Sequence, residues 1–224
     1  MMKTYKVLSA VLEYPSEELI EALPELEAAL EEEHLVRGEN LERLRSLLAA
    51  LAAEDLMTLQ ERYVDLFDRV RSVSLHLFEH VHGESRDRGQ AMIDLRQQYE
   101  RHGYTATSCE LPDYLPAFLE FLSRLGDDAA RELLSETTHV LESIGARLAR
   151  RGSLYAAAFE ALLAITGGAI PADLVRDEDI RKEDDPATLD AQWQAEPAFG
   201  PTPSCGGARA PAVSVVKFHK GVAA

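Results

Sequence analysis

The chain has 224 residues, of which 46% are apolar, and a formal net charge of −16 from 23 Lys and Arg against 39 Asp and Glu. That length suits one domain with a sizeable core, or one domain plus a tail. The acidic excess excludes a general nucleic-acid binder and docking on anionic lipid, and it favours a basic partner.

The helical period runs through the chain from its start. Tyr5, Leu8, Val11 and Leu12 share one helix face. Tyr14-Pro15-Ser16 ends that helix, and Ser16 can cap the next. Leu19, Leu23, Leu26 and Leu30 thread a glutamate-rich helix over 17–33, where Pro24 predicts a break into two short pieces. Leu41, Leu44, Leu48 and Leu51 mark another helix, and Leu56, Leu59, Tyr63, Leu66 and Phe67 the one after. Residues 69–74 read as a loop, followed by a histidine-bearing apolar stretch. Helix resumes near Gln90, with Ala91, Leu95 and Tyr99 on one face, and Gly103 stops it.

Asp113 can serve as N-cap for the next helix, with Pro116 in its first turn and Leu115, Phe118, Leu119, Leu122 and Leu125 on its apolar face. A single helix is expected from Asp127 or Asp128 through Leu148. Ser153 can cap the last one, which Gly167-Gly168 closes. No strand alternation appears over 1–170. The predicted fold is an all-α single-domain bundle over 1–174. The tail over 175–224, acidic and then rich in Pro and Gly, is expected to be disordered, with Trp193, Pro197 and Phe199 as an optional anchor that folds on binding.

No apolar run approaches the roughly 20 residues that span a bilayer, and no signal peptide is evident. Cys109 and Cys205 cannot form a disulfide framework, which fits a reducing compartment and cytoplasmic localisation. Cys109 has no identifiable basic neighbour and reads as a semi-buried thiol.

Chemical motifs are few. His76-Leu-Phe-Glu79-His80 matches the H-x-x-E-H spacing of inverted zinc hydrolases, with His82 and Glu84 nearby as further ligands. The bland alternative is partly exposed histidines at a helix end. Glu110 and Asp113 frame a proline-bounded turn without a nucleophile or an oxyanion loop. Asp113 is then either a cap or a carboxylate held to receive a cation. No phosphate-binding glycine loop is present, and no cofactor is expected. The balance favours a binding protein over an enzyme.

Two segments are more specific: His76-Leu-Phe-Glu-His-Val-His82-Gly-Glu-Ser-Arg-Asp-Arg88-Gly-Gln-Ala-Met92, and Glu110-Leu-Pro-Asp-Tyr-Leu-Pro116. Together they resemble the NarJ family of nitrate reductase molybdenum cofactor assembly chaperones, within the TorD/DmsD group of redox-enzyme maturation proteins. The resemblance spans roughly residues 3–170. It implies a non-catalytic cytoplasmic chaperone that binds the N-terminal segment of the apo α subunit of respiratory nitrate reductase. Such a chaperone keeps its client competent for molybdenum cofactor insertion and delays membrane attachment, without itself inserting in the membrane. The nearest alternative within the group is a chaperone for another molybdoenzyme of the dimethyl sulfoxide reductase family.

On this reading an amphipathic basic client segment lies in a groove between helices. His76, Glu79, His80 and His82 are expected on one wall, and Glu110, Asp113 and Tyr114 on the opposite one. Glu110 and Asp113 would face client cations. Protonated histidines would weaken binding of a basic client at lower pH.

Overall fold

A computed structural model describes residues 2–82, 86–105 and 110–193. Twelve helices are found among them, and the only strand-like feature is one isolated antiparallel bridge between His76 and Tyr114. The all-α expectation holds.

The first helix, α1 (Lys3–Val11), buries Tyr5, Val7, Leu8 and Val11. It packs on α2 (Glu17–Glu33) and α7 (Leu115–Ser123). Ser16 caps α2 as expected, accepting from the Leu19 N–H at 3.2 Å. Pro24, however, does not divide α2, which runs unbroken through it. The ring faces solvent, while Leu19, Leu23 and Leu30 on either side are pinned into the core. Burial on both flanks holds the axis across one missing backbone bond.

Next come α3 (Glu39–Ala53) and α4 (Leu56–Tyr63), the latter continued by a π-type turn over Val64–Asp68. Within the expected loop, Arg71–Val73 form a short 3-10 turn. It leads to α5 (Leu77–His82) and α6 (Arg86–Arg101). The single helix expected from 127 to 148 is two, α8 (Asp127–Glu136) and α9 (Thr138–Arg150). At the break, Thr137 has ψ near 0° and its hydroxyl donates to the Leu134 carbonyl at 2.8 Å. That side-chain bond competes with the helix ladder. Apolar spacing continues on both sides, so periodicity alone does not show it.

Helix α10 (Ala156–Ile165) is apolar on nearly every side and lies buried between α3 and α9. Together with α1 and α7 it forms the centre of one continuous core.

Part of the stretch expected to be disordered, up to residue 193, is helical. α11 (Asp177–Glu183) and α12 (Pro186–Trp193) extend the helical chain. Val175 and Ile180 bury against Ala146 of α9. Glu183 meets Arg147 at 2.9 Å, Arg151 at 3.0 Å and the Ser72 hydroxyl at 2.7 Å. Two apolar side chains and one shared carboxylate anchor a stretch whose composition reads as tail. The rest of the expected tail, 194–224, lies outside the described residues, as do Cys109, Cys205 and Pro197 and Phe199 of the optional anchor.

Candidate functional site

The two specific segments meet edge to edge. The Leu115 N–H donates to the Leu75 carbonyl at 2.8 Å, and the Leu77 N–H donates to the Asp113 carbonyl at 3.0 Å. These bonds make the short bridge between His76 and Tyr114. The Asp113 side chain completes it. One carboxylate oxygen accepts from the Phe78 N–H at 3.0 Å, and the other lies 3.4 Å from His76 Nδ1. Asp113 is fully buried.

This geometry corrects three expectations. Asp113 is not an N-cap, since α7 starts two residues later with Tyr114 in that place. Nor can it receive a client cation, because its oxygens are turned inward onto the start of α5. Its side chain supplies an acceptor for one of the orphan N–H groups in the first turn of α5. The two segments are also not opposite walls of a groove; they are sewn together into one.

The expected site residues divide between the two sides of this seam. On one side His76, Glu110 and Tyr114 line a small polar hollow of about 280 Å³ with Tyr14, Tyr63 and Asp68. The Tyr63 hydroxyl donates to the Leu12 carbonyl at 2.9 Å. It therefore accepts from the Tyr114 hydroxyl 3.1 Å away. Burial pushes the Tyr114 phenol up to about 12, so it remains a donor at neutral pH. His76 lies against the Tyr114 ring at 5.3 Å between centroids. Glu110 is exposed at the hollow's edge.

On the other side is a larger apolar groove of about 360 Å³ between α5 and α6 and the facing α7 and α9. Leu77, Phe78 and Val81 of α5, Ala91 and Leu95 of α6, Phe118 of α7 and Val140 of α9 line it. Asp87, Asp94 and Glu136 supply an acidic rim, with His82 and His139 between. No Lys or Arg is among the described residues that line it. The break at Thr137 is part of this site, since Glu136, Thr137 and His139 all face the groove.

Of the expected residues only His82 lines this groove. The ones that sequence reasoning did not single out, Phe78, Ala91, Leu95, Phe118 and Val140, look in the sequence like ordinary members of apolar helix faces. A signal was available in α6, where acids at Asp87 and Asp94 flank Ala91 at helical spacing.

Glu79 and His80 support the seam from within. Arg88 Nη2 lies 3.4 Å from Glu79 and ties α6 to α5. His80 Nε2 lies 2.8 Å from the Ser74 carbonyl, and burial lowers the pKa of its ring, favouring the neutral imidazole. With the proton on Nε2, that neutral ring donates to the carbonyl. His76 and His80 are thus turned to separate partners. Among the described residues no group of three or more His, Cys, Asp or Glu is placed to hold a metal ion. Among them, likewise, no helix is long and apolar enough to cross a membrane.

The hydrogen bond to Asp113 raises the His76 pKa above its ordinary value, with partial burial opposing and Glu79 adding to the rise. A folded-state pKa above the unfolded value stabilises fully below the unfolded pKa and ceases to do so as pH rises through the folded one. His76→Gln should therefore cost more thermal stability at pH 5.5 than at pH 8.5. Paired melting curves of the two proteins across that range check the sign.

Residues 13–161 match the family model described as nitrate reductase delta subunit. The chain is 43% identical over 192 residues to the nitrate reductase molybdenum cofactor assembly chaperone NarJ of Escherichia coli strain K12, covering 85% of this chain and 81% of that one. It is 40% identical over 197 residues to NarW of the same strain, covering 87% and 82%. A crystal structure from Archaeoglobus fulgidus, described as a redox enzyme maturation protein, superposes with a TM-score of 0.52 at 23% identity. That match covers 72% of this chain and 91% of that one, and it bears on the fold alone.

Proposed function

The chain belongs to the nitrate reductase delta subunit family, and on that premise we propose that it is an assembly chaperone for respiratory nitrate reductase. Its client is the apo form of the catalytic α subunit, and it engages that subunit's N-terminal segment. It holds the client open for molybdenum cofactor insertion and delays membrane attachment until the cofactor is in place. The chaperone performs no chemistry on the client; its work is binding and release.

The observation that carries this reading is the apolar groove with an acidic rim and no basic side chain among its described lining residues. An amphipathic client helix presents apolar side chains at every third or fourth position, which the groove walls can bury. Its basic residues then meet the exposed Asp87 and Asp94 at the rim. Rim charges of this kind speed encounter and set orientation, while the apolar anchors slow dissociation. The net charge of −16 adds long-range attraction for a basic segment.

The Asp113 seam positions this site without touching the client. It fixes the start of α5, and α5 supplies Leu77, Phe78 and Val81 to the groove lining. Glu110, Tyr114 and His76, in the polar hollow across the seam, are placed to meet a polar or cationic part of the client that extends past α5. Calorimetric titration with a synthetic peptide of the α-subunit N-terminus tests the proposal. Micromolar or tighter binding that weakens with added salt is expected. Absence of binding by folded protein to soluble peptide would overturn it.

A further inference from the structure

We propose that Val213–Lys220 of this same chain is a second occupant of the apolar groove and competes there with the client. The inference rests on the reading of that groove as the client site. It begins from how unevenly charge is spread along the chain. All 39 acidic side chains fall within residues 1–196. Residues 197–224 contain no Asp or Glu, and carry Arg209, Lys217 and Lys220.

Within that stretch, Val213-Ser-Val-Val-Lys-Phe-His-Lys220 holds three valines and a phenylalanine with two lysines. This is the composition that the groove demands of any ligand: apolar side chains for Phe78, Leu95, Phe118 and Val140, and cations for the acidic rim. A second apolar groove, near Leu47, Leu154 and Tyr155, is a poorer match, because Arg62 and Arg151 line it beside Asp65 and Asp184.

Reach is sufficient. Nineteen residues lie between Trp193, where α12 ends, and Val213. They can span up to roughly 66 Å. Tethering sets a local concentration on the order of millimolar, so an intrinsic affinity that weak would already fill about half of the grooves. Self-occupancy shields the apolar lining between clients. It also sets a threshold, because the client must displace the segment and its apparent affinity falls by the fraction of grooves already filled.

The test uses the full chain with Cys109→Ser, Cys205→Ser and Ser214→Cys, spin-labelled at position 214 and otherwise uniformly labelled with nitrogen-15. The proposal expects paramagnetic broadening of the Ala91, Leu95 and Val140 amides, removed by Lys217→Glu with Lys220→Glu and also removed by saturating α-subunit N-terminal peptide. The same charge reversal, in the unlabelled chain, should tighten peptide binding by about twofold, as release of half self-occupancy predicts. Broadening that is absent, or confined to Leu47 and Leu154, would overturn the proposal even with peptide binding intact. Broadening at the groove with no peptide binding by either variant would instead sustain the self-docking and overturn the client reading.

Discussion

Asp113→Ala should lower stability by about 3 kcal/mol, the upper end of the cost of leaving the Phe78 N–H without its buried acceptor while also losing the hydrogen bond to His76. For a chain of this size that is a fall in melting temperature of roughly 6–12 °C. The reason lies in where the carboxylate sits. Asp113 is fully buried and its two oxygens hold two groups of the neighbouring segment, the Phe78 N–H and the His76 ring. Ala supplies neither acceptor. Asp113→Asn keeps the shape and one acceptor oxygen, so its loss should be about half as large. It should also bring the His76 pKa back down, since the raising hydrogen bond to a charged partner is gone. Thermal melts and the histidine proton titration by NMR check both. A surface carboxylate that merely faces a client would give the opposite pattern, with stability unchanged and peptide affinity lost.

Ala91→Arg should abolish most client binding while leaving the fold intact. Ala91 lines the groove from α6, as Leu95 does one turn further on. Arginine there fills the space for a client side chain and places a cation where the ligand is itself basic. A loss of at least about 2 kcal/mol, or roughly thirtyfold in Kd, is expected, the scale of a central interface position. Helix α6 should persist, because Ala and Arg differ little in helix propensity. The control is Gln97→Arg, an exposed site on the same helix that does not line the groove. It makes the same charge change and should alter affinity by no more than about twofold, since single exposed charges are weak and screened. Equal losses in the two variants would show that net charge, and not the groove, governs binding.

How much of this was legible in the sequence depends on the kind of signal. Apolar spacing located α1, α3, α4, α7 and α10, because each presents a continuous face to the core. Ser16 announced its cap, since a serine before two glutamates has one local job. Local chemistry misled where tertiary contacts outweighed it. Pro24 should break a free helix, but Leu19, Leu23 and Leu30 hold both halves to one core. Asp113 precedes a proline-bearing helix and reads as its cap; the contact that claims it is with Phe78, 35 residues away. No local pattern announces a partner at that separation.

The site itself was half legible. The two segments that carry the family resemblance do adjoin each other, and the first of them lines the groove. Their most conspicuous polar residues nevertheless serve the seam: His80 faces Ser74, Glu79 faces Arg88 and Asp113 faces Phe78. The groove lining is apolar, and an apolar residue on a helix face looks the same whether it meets the core or a client. The helix break at Thr137, which lies in the groove lining, was hidden for the same reason. Val175 and Ile180 similarly extend the packed chain past a point where average composition suggests a tail.

The central claim is that the acidic-rimmed groove between α5, α6, α7 and α9 takes the client's N-terminal segment. Its most direct test is to titrate that peptide into nitrogen-15-labelled full-length protein and follow each backbone amide. The largest shifts should fall on Phe78, Ala91, Leu95 and Val140, with smaller ones at Asp87 and Asp94. Saturable shifts centred instead on Leu47, Leu59 and Leu154, with the α5–α6 amides unmoved, would contradict it.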